Sequence, residues 1–503
     1  MSYIPSFRLR RIQISGHPVL REVDITLCDE ANQTDAIYTT GIIGPNGTGK
    51  SHLMSAIATA FSDIRKVRDS EKTNRRFSFT VDYDYLGDSY SVSNIKRVGE
   101  RRFIELGWSN EEVLYATKNG NDISLDDLFL PERVIASTMT VTDKFVAKTD
   151  SFYRYKGIRN EKSASMTGTR TIIRKTVESL MDCMASKSAF QDELRILLKN
   201  LGLEEHLHVS YGMRYKELFL RPGITAAGIR DVFDNWKDRF PGRKNPPWGF
   251  NNYERLLKND DEALEGAARF LSEKASGRNG EASIARYDLM QNTWAFQRDA
   301  SALRTLTQLD LVSFPSINVV KKGSAFGLAD SRSGETHLLC QFIGIMADIR
   351  PGSLILIDEP ENSSHPDWQM NYVGWIREIF KEYRDCHFII ATHSPLILAN
   401  MKASESTIVR LRRDNETTRI SDEGGMEHGC YSWTVDEILQ EVMEMKKSHP
   451  DDYNRALKAF ERAVLENNRE AADSSFRILQ EMINPNNVFL EMLKIQKAAI
   501  IDD

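Results

Sequence analysis

The chain has 503 residues, 41% of them hydrophobic and 27% charged, with a formal net charge of −6. That length exceeds what one hydrophobic core serves, so two or more domains are expected, and the residue balance excludes global disorder. With a pI near 6.0 the protein is not a constitutively basic coat for nucleic acid, and any such contact has to come from a local patch.

The five cysteines, Cys28, Cys183, Cys340, Cys386 and Cys430, lack CxxC spacing, which indicates neither a zinc site nor a disulfide framework and fits a reducing compartment. The N-terminal stretch has no signal-peptide apolar region, and no run reaches the ~18 to 20 apolar residues needed to span a bilayer. A cytoplasmic location without membrane contact is expected.

In chain order, alternation at Phe7, Leu9, Ile12 and Ile14 and again at Val23, Ile25 and Leu27 predicts strands before the apolar run Ile37 to Ile43. A glycine-rich turn follows, then His52 to Phe61 with Leu53, Ile57, Ala60 and Phe61 at helical spacing. Residues 77 to 95 alternate around Leu86-Gly87-Asp88 and predict a hairpin. Arg133 to Thr138 reads as a further strand. From about Thr171 to Thr305 the periodicity is helical, broken at Pro241-Gly242, Pro246-Pro247 and Ser276 to Gly280, with no sustained heptads; a compact helical insertion is expected rather than a long coiled coil.

Strand-like sequence returns at Leu309 to Val320. A helix around Leu338 to Ile349, the strand Ser353 to Ile357, a helix around Trp368 to Tyr383 and the strand His387 to Ala391 then alternate. Fully apolar strands between helices imply a largely parallel sheet covered on both faces. Beyond Asn400, Thr434-Val435-Asp436-Glu437 has the form of a capping box, and Tyr453 to Glu466 and Ala471 to Ile483 predict amphipathic helices.

Gly44-Pro45-Asn46-Gly47-Thr48-Gly49-Lys50-Ser51 matches GxxxxGK[ST], between a strand and a helix. Its glycines let backbone N–H groups turn toward phosphates, Lys50 reaches the β/γ-phosphates, and Ser51 ligates Mg²⁺. Leu354 to Ile357 delivers Asp358 and Glu359 at a strand end: Asp358 suits the Mg²⁺ shell and Glu359 suits polarising the attacking water. Ala391-Thr392-His393-Ser394-Pro395 ends a second apolar strand, from which an imidazole can approach the γ-phosphate side.

In this order the three elements resemble the ABC ATPase family, which implies ATP and Mg²⁺ as cofactors, Glu359 and His393 as catalytic residues, and a homodimer through the ATP sites. Lys50 and Asp358 lie 308 positions apart, a gap that calls for an inserted domain, as in the SMC, RecF and OLD-like branches. The resemblance therefore implies an α/β fold: an ABC-type P-loop ATPase head with an inserted helical domain and a helical C-terminal tail. The expected division is 1–150 and 309–425 for the two head lobes, 151–308 for the insertion and 426–503 for the tail.

The family signature should precede the second carboxylate motif and complete the site of the opposite subunit. Asp330-Ser331-Arg332-Ser333-Gly334-Glu335 occupies that place, with Arg332 where the family has serine and Ser331 where it has leucine. Ser331, Arg332 or Ser333 makes the contact across the dimer in this reading, and an ordinary helix cap would leave the same pattern. Glu361-Asn362-Ser363-Ser364-His365-Pro366 matches the D-loop position, with His365 read as structural. Ser137 or Thr138 stands at the Q-loop position, without a glutamine.

Ile135-Ala136-Ser137, Asp143-Lys144-Phe145, Tyr153 to Arg159 and Val435 to Leu439 bring the head closer to the ATPase subunits of Septu-type and retron-associated phage-defence systems. That resemblance implies a regulatory ATPase controlling a separate, HNH-type nuclease. The alternative is a DNA-repair or chromosome-associated SMC/RecF-like ATPase that holds DNA directly. An OLD-type nuclease would need a Toprim carboxylate module, and residues 401–503 offer none. Seven cations between Arg154 and Lys175 (Arg154, Lys156, Arg159, Lys162, Arg170, Arg174 and Lys175), beside Phe152, Tyr153 and Tyr155, suit nucleic acid; a solvated loop or a dimer-interface segment suits them equally.

Overall fold

A computed structural model describes residues 7–500, apart from 29–35, 72, 74–75, 96, 99–100, 103–113, 160–168, 187–188, 240–245, 247–248, 277–282, 314, 331–332, 414–418, 423–429, 432, 444–449 and 486. The chain divides into two compact units, Met1–Ser432 and Trp433–Asp503.

The strands in chain order are β1 (Arg8–His17), β2 (Arg21–Thr26), β3 (Tyr38–Ile43), β4 (Ser78–Tyr85), β5 (Asp88–Ser93), β6 (Arg97–Val98), β7 (Arg101–Arg102), β8 (Tyr115–Lys118), β9 (Asn121–Ile123) and β10 (Val134–Thr138). They continue with β11 (Tyr153–Lys156), β12 (Leu207–Gly212), β13 (Ser283–Asp288), β14 (Ser316–Lys321), β15 (Ser324–Gly327), β16 (Leu354–Asp358), β17 (His387–Ala391), β18 (Ser406–Arg413) and β19 (Arg419–Asp422).

The first unit is built on a sheet in the order β11-β10-β16-β17-β3-β18-β19-β2-β1-β4-β5-β8-β9. Its first six strands run parallel. Every residue of β3, β10, β16 and β17 is buried, as strands covered on both faces require. From β2 outward through β1, β4, β5, β8 and β9 the pairing is antiparallel. The hairpin predicted at 77–95 is β4 and β5, turning through Leu86 and Gly87, both at positive φ, which suits the twist of the flanking strands. Helix Lys50–Arg68 follows β3 and buries Leu53, Ile57, Ala60, Phe61 and Ile64. Helices Ser333–Asp348 and Pro366–Ile379 flank β16 in sequence.

The stretch with helical periodicity does contain helices Thr169–Ser186, Phe190–Asn200, Ala226–Asp234, Asp261–Ser276 and Thr293–Gln308. It also holds β12 and β13, which the helical reading omits. With β14 and β15 they form a second sheet, β13-β12-β14-β15. Strand β12 has the alternation of a half-buried strand, Leu207, Val209 and Tyr211 facing inward, but at six residues it is outweighed in sequence by the longer helical groups around it.

In the second unit, Thr434 and Glu437 form the predicted capping box, the Glu437 carboxylate accepting from the Thr434 N–H at 2.6 Å. Helices Asp451–Leu465, Arg469–Met482 and Val488–Ala498 enclose a core of Phe460, Phe476, Leu479, Ile483, Leu490 and Leu493. The apolar faces of the two amphipathic helices predicted at 453–466 and 471–483 therefore pack on one another. All five cysteines are buried thiols outside any disulfide. Among the described residues, no helix is long and apolar enough to cross a membrane.

Candidate nucleotide site

Strand β3 ends at Ile43, and the chain turns through Gly44 to Gly49 into helix Lys50–Arg68. Gly47 and Gly49 adopt φ of 83° and 98°, a region that favours glycine. At Gly44 the constraint is space: an added Cβ would lie 2.6 Å from the Leu411 carbonyl oxygen on β18. Thr48 braces the loop by donating to the Pro45 carbonyl at 2.9 Å. The helix N-terminus has no side-chain cap and no acidic residue in its first turn. Its N–H groups and dipole thus form a site for an anion.

Lys50 is buried, and its Nζ donates to the carbonyls of Gly44 at 2.6 Å and Pro45 at 3.3 Å. Burial pulls the ammonium down to about 8, against the opposing pull of Glu359, Glu361 and Asp358. Ser51 Oγ donates to Asp358 Oδ1 at 3.2 Å, joining the first turn of this helix to the end of β16. Burial pushes the Asp358 carboxyl up to about 7, and Glu359, Asp143 and Glu361 add to that push. Thr138, which ends β10, lies opposite Asp358. Its hydroxyl is 3.1 Å from that of Thr140, whereas Ser137 Oγ is buried with no hydrogen-bond partner among the described residues.

Glu359 adopts φ of 50°, and its N–H donates to the Ala391 carbonyl at the end of β17 at 2.9 Å. Its Oε1 lies 3.4 Å from His393 Nε2, and the hydrogen bond to His393 holds the carboxyl below its ordinary value. His393 Nδ1 lies 3.2 Å from Lys50 Nζ. The imidazole thus stands between the Lys50 ammonium and the Glu359 carboxylate. Glu361, which sequence reasoning placed in the D-loop without a role of its own, turns inward and accepts from the His393 N–H at 2.5 Å. Its burial was not legible from a polar run beginning Glu-Asn-Ser-Ser. His365 is the N-cap of helix Pro366–Ile379, as its structural reading expects.

The site thus gathers three carboxylates and a serine hydroxyl around one lysine. Hard oxygen donors in excess of cations match what Mg²⁺ takes, and the uncapped helix N-terminus matches polyphosphate.

Ser331 and Arg332 lie outside the described residues, as does the Ser333 side chain. Gly334 is packed so closely that an added Cβ would lie 2.2 Å from the Ser363 carbonyl oxygen, so the signature position and the D-loop touch within one chain. Glu335 pairs with Lys321 at 2.5 Å. Among the described residues, neither Gly334 nor Glu335 hydrogen-bonds to the P-loop of its own chain.

The basic stretch is largely turned inward, contrary to a free cationic face. Lys156 and Arg154 reach buried Asp348 at 2.7 and 3.3 Å, alongside Arg133 at 2.8 Å. Arg159 grips Asp143 at 2.6 and 2.9 Å, and Tyr155 donates to the same carboxylate at 2.9 Å. Lys175 donates to the carbonyls of Gly157 and Arg159 at 2.7 and 2.5 Å, and Arg174 pairs with Glu178. For Arg154 and Lys156 the cause is the pairing of β11 with β10, which carries these two cations to Asp348. Lys162 and the Arg170 side chain lie outside the described residues.

A parallel sheet that brings a P-loop, a strand-end Asp-Glu pair and a histidine from the intervening strand to one point defines an ABC-type P-loop ATPase head. A family profile described as "AAA domain, putative AbiEii toxin, Type IV TA system" matches residues 333–399. The Septu protein PtuA of Bacillus thuringiensis is 30% identical over 145 residues, covering 29% of this chain and 36% of that protein. The retron Ec83 probable ATPase of Escherichia coli is 24% identical over 147 residues, covering 28% of this chain and 25% of that protein. The chain thus matches about a third or less of the length of these relatives. The SMC head domain from Thermotoga maritima aligns at a TM-score of 0.36 and 13% identity, over 83% of this chain and 99% of that one, too distant an overlay to add to the fold argument. Over part of its length the chain is thus related in sequence to PtuA and to the retron ATPase, at modest identity.

Proposed function

We propose that this chain binds ATP with Mg²⁺ at the site, hydrolyses it between two copies of itself, and through its nucleotide state governs a separate effector nuclease in antiviral defence. The observation that carries this reading is the convergence of Lys50, Ser51, Asp358, Glu359 and His393 from three segments of the chain.

Lys50 exchanges its carbonyl partners for the β/γ-phosphates, where an anion restores the charge that burial disfavours. Ser51 and Asp358 hold Mg²⁺, which when bound supplies positive charge at the phosphates. Glu359, ionised because His393 holds its carboxyl low, accepts the proton of the attacking water, and His393 fixes its position against Lys50. The second copy contributes the 331–335 segment.

The defence role rests on the similarity to proteins named as Septu and retron ATPases, and the HNH class of the partner comes from the same resemblance. In this reading the division into head lobes 1–150 and 309–425, an arm-like insertion 151–308 and a tail 426–503 holds with two adjustments, β11 belonging to the head sheet and β14 and β15 to the small sheet of the insertion, and the protein works in the cytoplasm.

Glu359→Gln tests the core of the proposal, since the amide matches the carboxylate in shape but cannot act as base. The variant should retain ATP, hydrolyse it at least about a hundredfold more slowly, and accumulate as an ATP-dependent dimer in light scattering. Hydrolysis at the wild-type rate would move the water-activating role elsewhere.

A further inference from the structure

The inserted segment brings together three metal-ligand side chains that nothing in the nucleotide site uses: His206, His208 and Asp288. Strand periodicity places the two histidines on one face of the chain around β12, with buried Leu207 between them pointing the other way. Their rings stack, with centroids 5.8 Å apart and planes within 5°. Strand β13 runs antiparallel beside β12, and Asp288 is the direct cross-strand partner of His208.

The contacts within the cluster are incomplete as hydrogen bonds. Asp288 Oδ2 receives His206 Nδ1 at 2.8 Å, while His208 Nε2 approaches the same oxygen only to 3.5 Å. The other nitrogen of His208, Nδ1, is buried and has no hydrogen-bond partner among the described residues. With only that long contact to the carboxylate, Nε2 is placed to offer its lone pair to an ion lying between the rings and Asp288. The other Asp288 oxygen is fixed by the Met290 N–H at 3.0 Å, the kind of outer contact that holds a ligating carboxylate in place.

The three ligand atoms all lie within 4.8 Å of one another. Two ligands about 2.0–2.2 Å from one tetrahedral ion stand a little over 3 Å apart, so the spread needs only small ring rotations. The side chains are 36%, 19% and 14% exposed, which leaves a path for an ion and room for water as a fourth ligand.

We propose that His206, His208 and Asp288 form a binding site for one divalent transition ion of the zinc class. Two imidazoles and one carboxylate suit such an ion better than Mg²⁺ or Ca²⁺, which take oxygen donors throughout. The ion staples β12 to β13 and so closes the chain between positions 208 and 288 within the insertion. Strand β12 also pairs with β14, so the staple stiffens the small sheet at its centre. The inference stands independently of the nucleotide site.

The test uses the untagged full chain, stripped with chelator and titrated with Zn²⁺, and separately with Co²⁺ for its visible absorption. One equivalent of Zn²⁺ should bind, Co²⁺ should show the intense bands of a low-coordinate nitrogen and oxygen site, and Zn²⁺ should raise the thermal midpoint. His208→Gln and Asp288→Asn, both close in shape to the parent residue, should each weaken binding by about a hundredfold or more and abolish the Zn²⁺-dependent stabilisation. Asp358→Asn should leave the stoichiometry intact. Absence of stoichiometric Zn²⁺ would overturn the proposal, leaving a histidine–aspartate hydrogen bond alone. So would binding lost in Asp358→Asn but kept in Asp288→Asn, which would put the ion in the nucleotide site. His206→Gln gives a third, independent reading should either other variant fold poorly.

Discussion

Removing one carboxylate, in Asp348→Ala, tests whether the basic stretch is an internal clasp. Asp348 closes helix Ser333–Asp348, and three cations from two neighbouring segments converge on it: Lys156 at 2.7 Å, Arg133 at 2.8 Å and Arg154 at 3.3 Å. Burial pushes the carboxyl up, but the cations override that push and hold it below its ordinary value. Breaking a buried pair costs about 3–5 kcal/mol, because the surviving charge is stranded. Here the cations remain 17–26% exposed, and Lys156 keeps a hydrogen bond to Ser179 at 3.1 Å, so the loss belongs near the low end, about 3 kcal/mol. Urea denaturation, followed by tryptophan fluorescence, should show the transition of the first unit displaced to lower denaturant by that amount. Arg154→Ala and Lys156→Ala should each reproduce part of the loss. The reasoning is refuted if Asp348→Ala unfolds within about 0.5 kcal/mol of wild type, the range of an ordinary surface change, while the two cation variants lose binding to nucleic acid.

Lys50→Ala should lower ATP affinity at least about a hundredfold, since two charge-assisted contacts of about 1.5–3 kcal/mol each are lost, and equilibrium binding of labelled ATP reads this directly. His387, fully buried, accepts the Leu9 N–H at Nδ1 and meets Thr40 at Nε2, and burial, helped by the Arg8 and Arg10 charges, holds it well below its ordinary value. Below about pH 6.5 the unfolded chain therefore takes up a proton that the folded chain refuses, and stability falls by about 1.4 kcal/mol per pH unit through this group; His387→Gln should remove that part of the slope in denaturation at pH 5 to 7. The purified chain should leave DNA and RNA intact with Mg²⁺ or Mn²⁺, with and without ATP; cleavage that persists in Glu359→Gln after stringent repurification would revive the OLD-type reading.

What was legible in the sequence is what a short window dictates. The P-loop, Asp358-Glu359 and His393 each sit at the end of an apolar strand, and the sheet joins those ends, so finding the strands found the site. Contacts set by pairing across long separations were not legible. Arg154 and Lys156 look like a surface patch until β11 is laid beside β10 and carries them to Asp348. Likewise His206 and His208 acquire Asp288 only through the register of two strands hidden among helices. Glu361 offers no local sign that its carboxylate turns inward to the His393 backbone.

The position of β3 has a consequence for synthesis. Its two neighbours in the sheet are β17 and β18, and about 340 residues separate Ile43 from His387. At ~5–20 residues per second, a ribosome needs roughly 20–70 s to make that intervening chain. For all of that time the nascent protein carries the complete P-loop on an apolar strand with both edges open, a template for pairing with the wrong partner. An N-terminal fragment ending before His387 would contain every phosphate-contacting residue of the loop and still lack the two strands that hold it in place.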